Sequence, residues 1–407
     1  MRITSHNSMP PLAVPFRVIA LLTLGCIGCS SASDESEPVD SNAAAKRELL
    51  SSLTIGVIVP AIDEFVERAT TLETSAKAWA GSKTDADRTA AQTAWAAAME
   101  TWQGLEVMQF GPAGLTGEVA GGQGLRQLIY SWPTVNTCRV DQETVEGTYE
   151  DLAALAAEAT NVLGLDALEY LLFVDGTDNS CRPDSVINQD GSWTALPEGD
   201  RLQRRAAYAS AAATLVLANA RTLQTAWAAT GGNFAGEVST AGDGSMTYRS
   251  AQAALNALSD AMFYVEQATK DMKLAEPAGI SNCATEVCPE EVESVYAGRS
   301  KDHILSNLKA FQLIFLGAEP GREAPGFDDL LTGIGAAELA TQMTGDIAAA
   351  IEAVEAIQGD LVEAVSTQKP AVQNAYDALV TLNTMLKTQF LSVLDLEIPD
   401  RAASDND

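Results

Sequence analysis

Gly164-Leu165-Asp166-Ala167-Leu168-Glu169-Tyr170-Leu171-Leu172-Phe173 carries more information than any other stretch of the chain. Residues three and four apart lie on one side of a helix, so a helix here sets the Asp166 and Glu169 carboxylates on a common face. Leu163, Leu165, Leu168, Leu171 and Leu172 crowd around them. Acids in such apolar company need a cation, an arginine or hydrogen-bond donors. Spacing alone also allows the plainer reading, in which the pair is the polar stripe of an amphipathic helix.

The same helical period extends outward in both directions. Alanine fills stretches such as Ala153–Ala159 and Ala206–Ala213, and alanine is the best helix former. β-Branched alternation with a period of two is almost missing, so the chain reads as all-α. Long amphipathic segments are predicted over residues 46–80, 84–109, 147–174, 201–230, 248–275, 299–316, 335–366 and 370–396. Glycine- and proline-rich breakers separate them. Trp102–Pro112 parallels Leu308–Ala318, each an amphipathic helix end closed by glycine. That likeness predicts two similar helical-bundle halves packed together, an internal duplication with a first half at 46–245 and a second at 246–398.

Charge and cysteines narrow the function. The formal net charge of −30 repels phosphate backbones, which excludes nucleic acid and favours cations. Residues 1–29 read as a lipoprotein signal segment, with Arg2 and Arg17 followed by the apolar run Val18–Leu24, too short to span a bilayer. Cys29 is the expected lipidation site and Cys26 the competing one; contact with the membrane is then through the lipid anchor alone. Residues 30–45 form a flexible acidic tether and 399–407 a disordered tail. Four further cysteines in an exported chain point to two disulfides, Cys283 with Cys288 around a tight local loop and Cys138 with Cys181 across the first half.

Gly164-x-Asp166-x-x-Glu169 resembles the signature of the imelysin-like family, in which glycine is followed by histidine and glutamate at G-x-H-x-x-E spacing. Trp102 through Phe110-Gly111-Pro112, the Ile129-Tyr130-Ser131-Trp132-Pro133 element, Asp271 through Pro277-Ala278-Gly279 and the Leu308–Gly317 helix are similar to other family segments, in order over residues 45–396. The resemblance implies a two-part helical bundle with a functional site near the junction of its halves. It also implies a role linked to bacterial iron uptake at the cell envelope, on the periplasmic face of the outer membrane or in the periplasm.

This chain departs from the family where the chemistry matters: Asp166 stands in the histidine position. Asp with Glu is an all-oxygen pair, suited to ferric iron, calcium, magnesium or manganese rather than zinc. Iron is the favoured ion. Glu106 is the expected third ligand; Tyr130, Arg126 and His303 are expected at the periphery of the site. A protein that binds a metal ion, a metal-bearing small ligand or an envelope protein partner is the leading expectation. An interaction module without metal is the alternative. A metallopeptidase ranks last, since the chain has no H-E-x-x-H and no nucleophile–base pair.

Overall fold

Alanine-rich, leucine-punctuated segments give helices throughout, and no strand forms among the residues that this computed structural model describes, 41–176 and 178–399. The chain is all-α, as expected. The predicted signal segment with Cys26 and Cys29, most of the tether and the tail from Asp400 fall outside the described residues.

Val59–Ser82 and Asp85–Glu106 form a helical hairpin closed by Lys83 in the left-handed conformation and by Thr84, whose hydroxyl accepts the Asp87 N–H at 3.2 Å. Glu198–Trp227 packs along Val59–Ser82, while Gly164–Phe173 lies against both Asp85–Glu106 and Glu198–Trp227. A second group contains Ser300–Leu316, Ala337–Glu355, Lys369–Met385 and the π-helical segment Val265–Ala275. The groups join where Ser300–Leu316 packs on Asp85–Glu106. Gly104 faces Ala310 there, and a Cβ at Gly104 would make only an ordinary contact of 3.6 Å with the Ala310 Cβ. One continuous core runs through both groups, with Trp79, Trp95, Trp102 and Phe311 fully buried. The opening helix Ala43–Leu53 packs on Ala251–Met262 and so sits beside the start of the second group. The rod from Ala43 to Ser82 is long and apolar enough to cross a membrane, but Leu49, Leu50, Leu53, Ile62 and Phe65 bury its apolar side in this core.

The segment predicted as a helix over 147–174 is instead broken three times. Gly147, at φ 81°, ends the helix Thr137–Glu146; Asp151 caps the short helix Leu152–Ala156; Gly164, at φ 80°, restarts the chain as Gly164–Phe173. Local side-chain caps and left-handed glycines override the apolar period there. Thr137–Glu146 was not expected, and it places Cys138 in a helical first turn rather than in a loop. Both disulfides pair as anticipated: Cys138 with Cys181 at 2.01 Å and Cys283 with Cys288 at 2.15 Å.

Candidate functional site

Gly164 is required by geometry as well as by conformation. Besides its positive φ, a Cβ added to it would lie 2.7 Å from the carbonyl oxygen of Ile129 and 3.0 Å from Asp166 Oδ1. Without that Cβ, the start of Gly164–Phe173 closes onto the segment Leu125–Trp132. Ser131 Oγ then donates to Asp166 Oδ2 at 2.5 Å. Asp166 Oδ1, equally buried, makes no well-aligned hydrogen bond, although the backbone N–H groups of Asp166, Ser131 and Ala167 stand close enough to pull its carboxyl down. One turn on, Glu169 Oε1 accepts the backbone N–H groups of Tyr296 at 3.0 Å and Ala297 at 2.9 Å.

Both acids are almost fully enclosed, with Asp166 5% and Glu169 6% exposed. Burial pushes the Asp166 carboxyl up to about 6, against the pull of the Ser131 hydroxyl. It pushes Glu169 up to about 8, against the pull of the Ala297 amide, the Ser294 hydroxyl and the Tyr296 amide. No cationic side chain is among the groups that shift either of them.

The two carboxylates line a cavity of about 470 Å³. Residues from the first half, Tyr130, Trp132 and Pro133 among them, form one side; Met272, Glu276 and the segment from Glu290 to Tyr296 form the other. The cavity therefore lies between the two helix groups. Glu276, Glu290 and Glu291 add three more acids, and no lysine, arginine or histidine lines the cavity.

The other expected residues are arranged differently. Tyr130 lines the cavity. Glu106 does not, because Arg126 takes its carboxylate from both sides, Nη2 at 2.9 Å from Oε2 and Nε at 3.3 Å from Oε1. Arg126 also donates to the Trp132 carbonyl at 3.1 Å and so ties that ion pair to the cavity wall. His303 is buried behind the site, with Nδ1 3.1 Å from Glu293 Oε2. Among the described residues, no group of three or more histidine, cysteine or acidic side chains is arranged to hold a metal ion.

Sequence reading missed the buried hub of the region, Glu293. Its Oε1 accepts from the Tyr130 hydroxyl at 2.6 Å and from Gln103 Nε2 at 3.0 Å; its Oε2 meets Lys273 Nζ at 3.1 Å. Lys273 in turn donates to Gln103 Oε1 at 2.6 Å and to Asn307 Oδ1 at 2.9 Å. Burial alone would raise Glu293, yet the Lys273 ammonium and the His303 ring hold its carboxyl well below the usual range. The one available pointer was Lys273, inside the Asp271–Gly279 stretch already singled out. Glu293 lies just after the segment read as a breaker, and no local period marks it.

The fold is an all-α helical bundle with two buried carboxylates at a cavity between its helix groups. More narrowly, the chain belongs to the imelysin family, described as Peptidase_M75: Imelysin, which matches residues 58–386. A putative iron-regulated protein A precursor from Parabacteroides distasonis ATCC 8503 has a similar structure. It matches with TM-score 0.67 and 16% identity over 89% of this chain and 96% of that one. An imelysin-like protein from Psychrobacter arcticum 273-4 matches with TM-score 0.66 and 17% identity over 87% and 97% of the two chains. At these identities the likeness concerns the fold. No curated protein matches the chain.

Proposed function

We propose that this imelysin-type protein binds a metal ion or a metal-bearing ligand in the Asp166–Glu169 cavity, in the service of iron uptake at the cell envelope. The observation that carries this reading is Asp166 Oδ1, a buried carboxylate oxygen without a well-aligned hydrogen bond at the edge of an acid-lined cavity. A cation there would supply what desolvation takes from both acids. Asp166 and Glu169 fit an oxygen-preferring cation as two ligands. Water or the bound molecule's own donors would complete the coordination, which favours a metal that arrives on a ligand. The family and the printed name of the Parabacteroides protein support a link to iron. Two disulfides support an oxidising compartment, and the sequence before Ser30 supports a lipid anchor at Cys29 or Cys26.

Equilibrium dialysis of chelator-stripped protein against ferric, ferrous, zinc and calcium ions tests the reading. One ion, or a chelate of it, binds stoichiometrically, and binding is lost in Asp166→Ala and Glu169→Ala. Binding unchanged in both variants overturns the assignment. One observation favours the second reading, an interaction module without metal: Glu169 Oε1 already staples the Tyr296–Ala297 backbone to Gly164–Phe173.

A further inference from the structure

The dimensions and walls of the cavity say more about its ligand than the two acids do. A bare ion needs a close cage of oxygen donors, and no such group of side chains is arranged among the described residues. A volume of about 470 Å³ falls instead in the range of small-molecule sites, roughly 300–1,000 Å³.

The walls are divided. Asp166 and Glu169 form a buried acidic floor, and the half-open rim carries Pro133, Val295 and Tyr296 with Glu290 and Glu291. Tyr296 is 42% exposed and meets Tyr170 edge-on, so part of its ring surface is left for a ligand. Trp132 contributes apolar surface, although the Lys273 ammonium lies 5.7 Å from its ring centroid. That ammonium is neutralised by Glu293 and does not line the cavity.

We propose that the cavity takes an organic cation, with an ammonium or guanidinium head on Asp166 and Glu169 and an apolar body against Tyr296, Trp132 and Pro133. Three features combine in this assignment. Acids line the cavity without a basic residue; one of them is nine-tenths buried with an oxygen that makes no well-aligned hydrogen bond; and an apolar, aromatic wall stands beside them. Charge-assisted hydrogen bonds from N–H donors would satisfy Asp166 Oδ1, and an alkyl or guanidinium plane would cover the Tyr296 ring. A guanidinium presents its N–H donors in a planar fork that matches carboxylate geometry. The inference rests on the reading of Asp166 and Glu169 as the binding site, and it adds an organic cation that would compete with a metal for the same two acids.

Calorimetric titration of the metal-stripped full chain, in excess EDTA, with agmatine and with spermidine tests it. One molecule binds per chain; Asp166→Asn with Glu169→Gln weakens binding at least about tenfold, about 1.4 kcal/mol. Tyr296→Ala weakens it several-fold while leaving the thermal midpoint near that of the parent. An uncharged diol of similar length does not bind. The inference is overturned if neither amine binds, or if the double variant binds them as well as the parent does. The same preparation without EDTA, titrated with ferric and calcium ions, separates the two claims. Metal binding that depends on the two acids, without amine binding, removes the organic cation and leaves the site; loss of both removes the site as well.

Discussion

Glu293 and Glu169 are buried within one region of the molecule, yet their surroundings drive them in opposite directions. Glu293 receives the Tyr130 hydroxyl, the Gln103 amide, the Lys273 ammonium and the His303 ring, and is held well below the usual carboxylate range. Glu169 receives two backbone amides and no cation, and is pushed up to about 8. Asp166 behaves as Glu169 does, with one oxygen bound to Ser131 and the other without a well-aligned hydrogen bond. A buried acid supplied with its own cation is part of the framework. A buried acid facing a cavity without one carries the desolvation cost of its charge unrelieved.

The sharpest way to break that contrast is at Glu293. Removing one partner of a buried ion pair strands the other, so Glu293→Ala is expected to destabilise the fold by about 3–5 kcal/mol. Lys273→Met in the same chain should restore part of the loss, because the stranded ammonium is gone. Urea denaturation of the two single variants and the double variant measures the coupling. Simple additivity would show that the hub is not a unit.

Gly164→Ala comes next. The substitution meets both a positive φ and the Ile129 carbonyl oxygen at 2.7 Å, so a loss of about 1–3 kcal/mol is expected, together with weaker ligand binding as the floor shifts. An unchanged melting midpoint would mean that the Gly164 turn relaxes freely.

Glu169→Gln has an effect that vanishes at low pH, and its sign opposes that of Glu293→Ala. The folded-state pKa of Glu169 lies above its ordinary 4.5, so the folded state favours the protonated acid. Stability from that preference is fully present below about 4.5 and is lost as pH rises through about 8. Glutamine keeps an oxygen for the Tyr296 and Ala297 amides and cannot ionise. In ligand-free protein the variant should therefore match the parent at pH 4 and be clearly the more stable of the two at pH 8, by urea titration at the two pH values. A variant less stable than its parent at pH 8 would show that the ionised acid is already compensated.

Much of this contrast was only half legible in the sequence. Gly164, Asp166 and Glu169 stand out because an acidic pair inside a leucine-rich helical period is a local pattern, and the all-α class follows from composition in the same way. Glu293, Gln103 and Asn307 are tied to one another and to Lys273 across as many as 204 positions, and nothing local announces such a pairing. Glu106, expected as a third ligand, is instead held by Arg126, a pairing that nothing local announces. The break of the 147–174 segment failed to show because its apolar period continues across Gly147, Asp151 and Gly164, where the backbone turns.

The central claim is that Asp166 and Glu169 are buried without a counter-charge in the ligand-free protein. Carboxyl-carbon NMR titration of the metal-stripped chain, with Asp166→Asn and Glu169→Gln assigning the two signals, measures it directly. The account predicts midpoints near 8 for Glu169 and near 6 for Asp166, both falling when a saturating cationic ligand is added. A Glu169 midpoint at or below 4.5 in the stripped protein would contradict it.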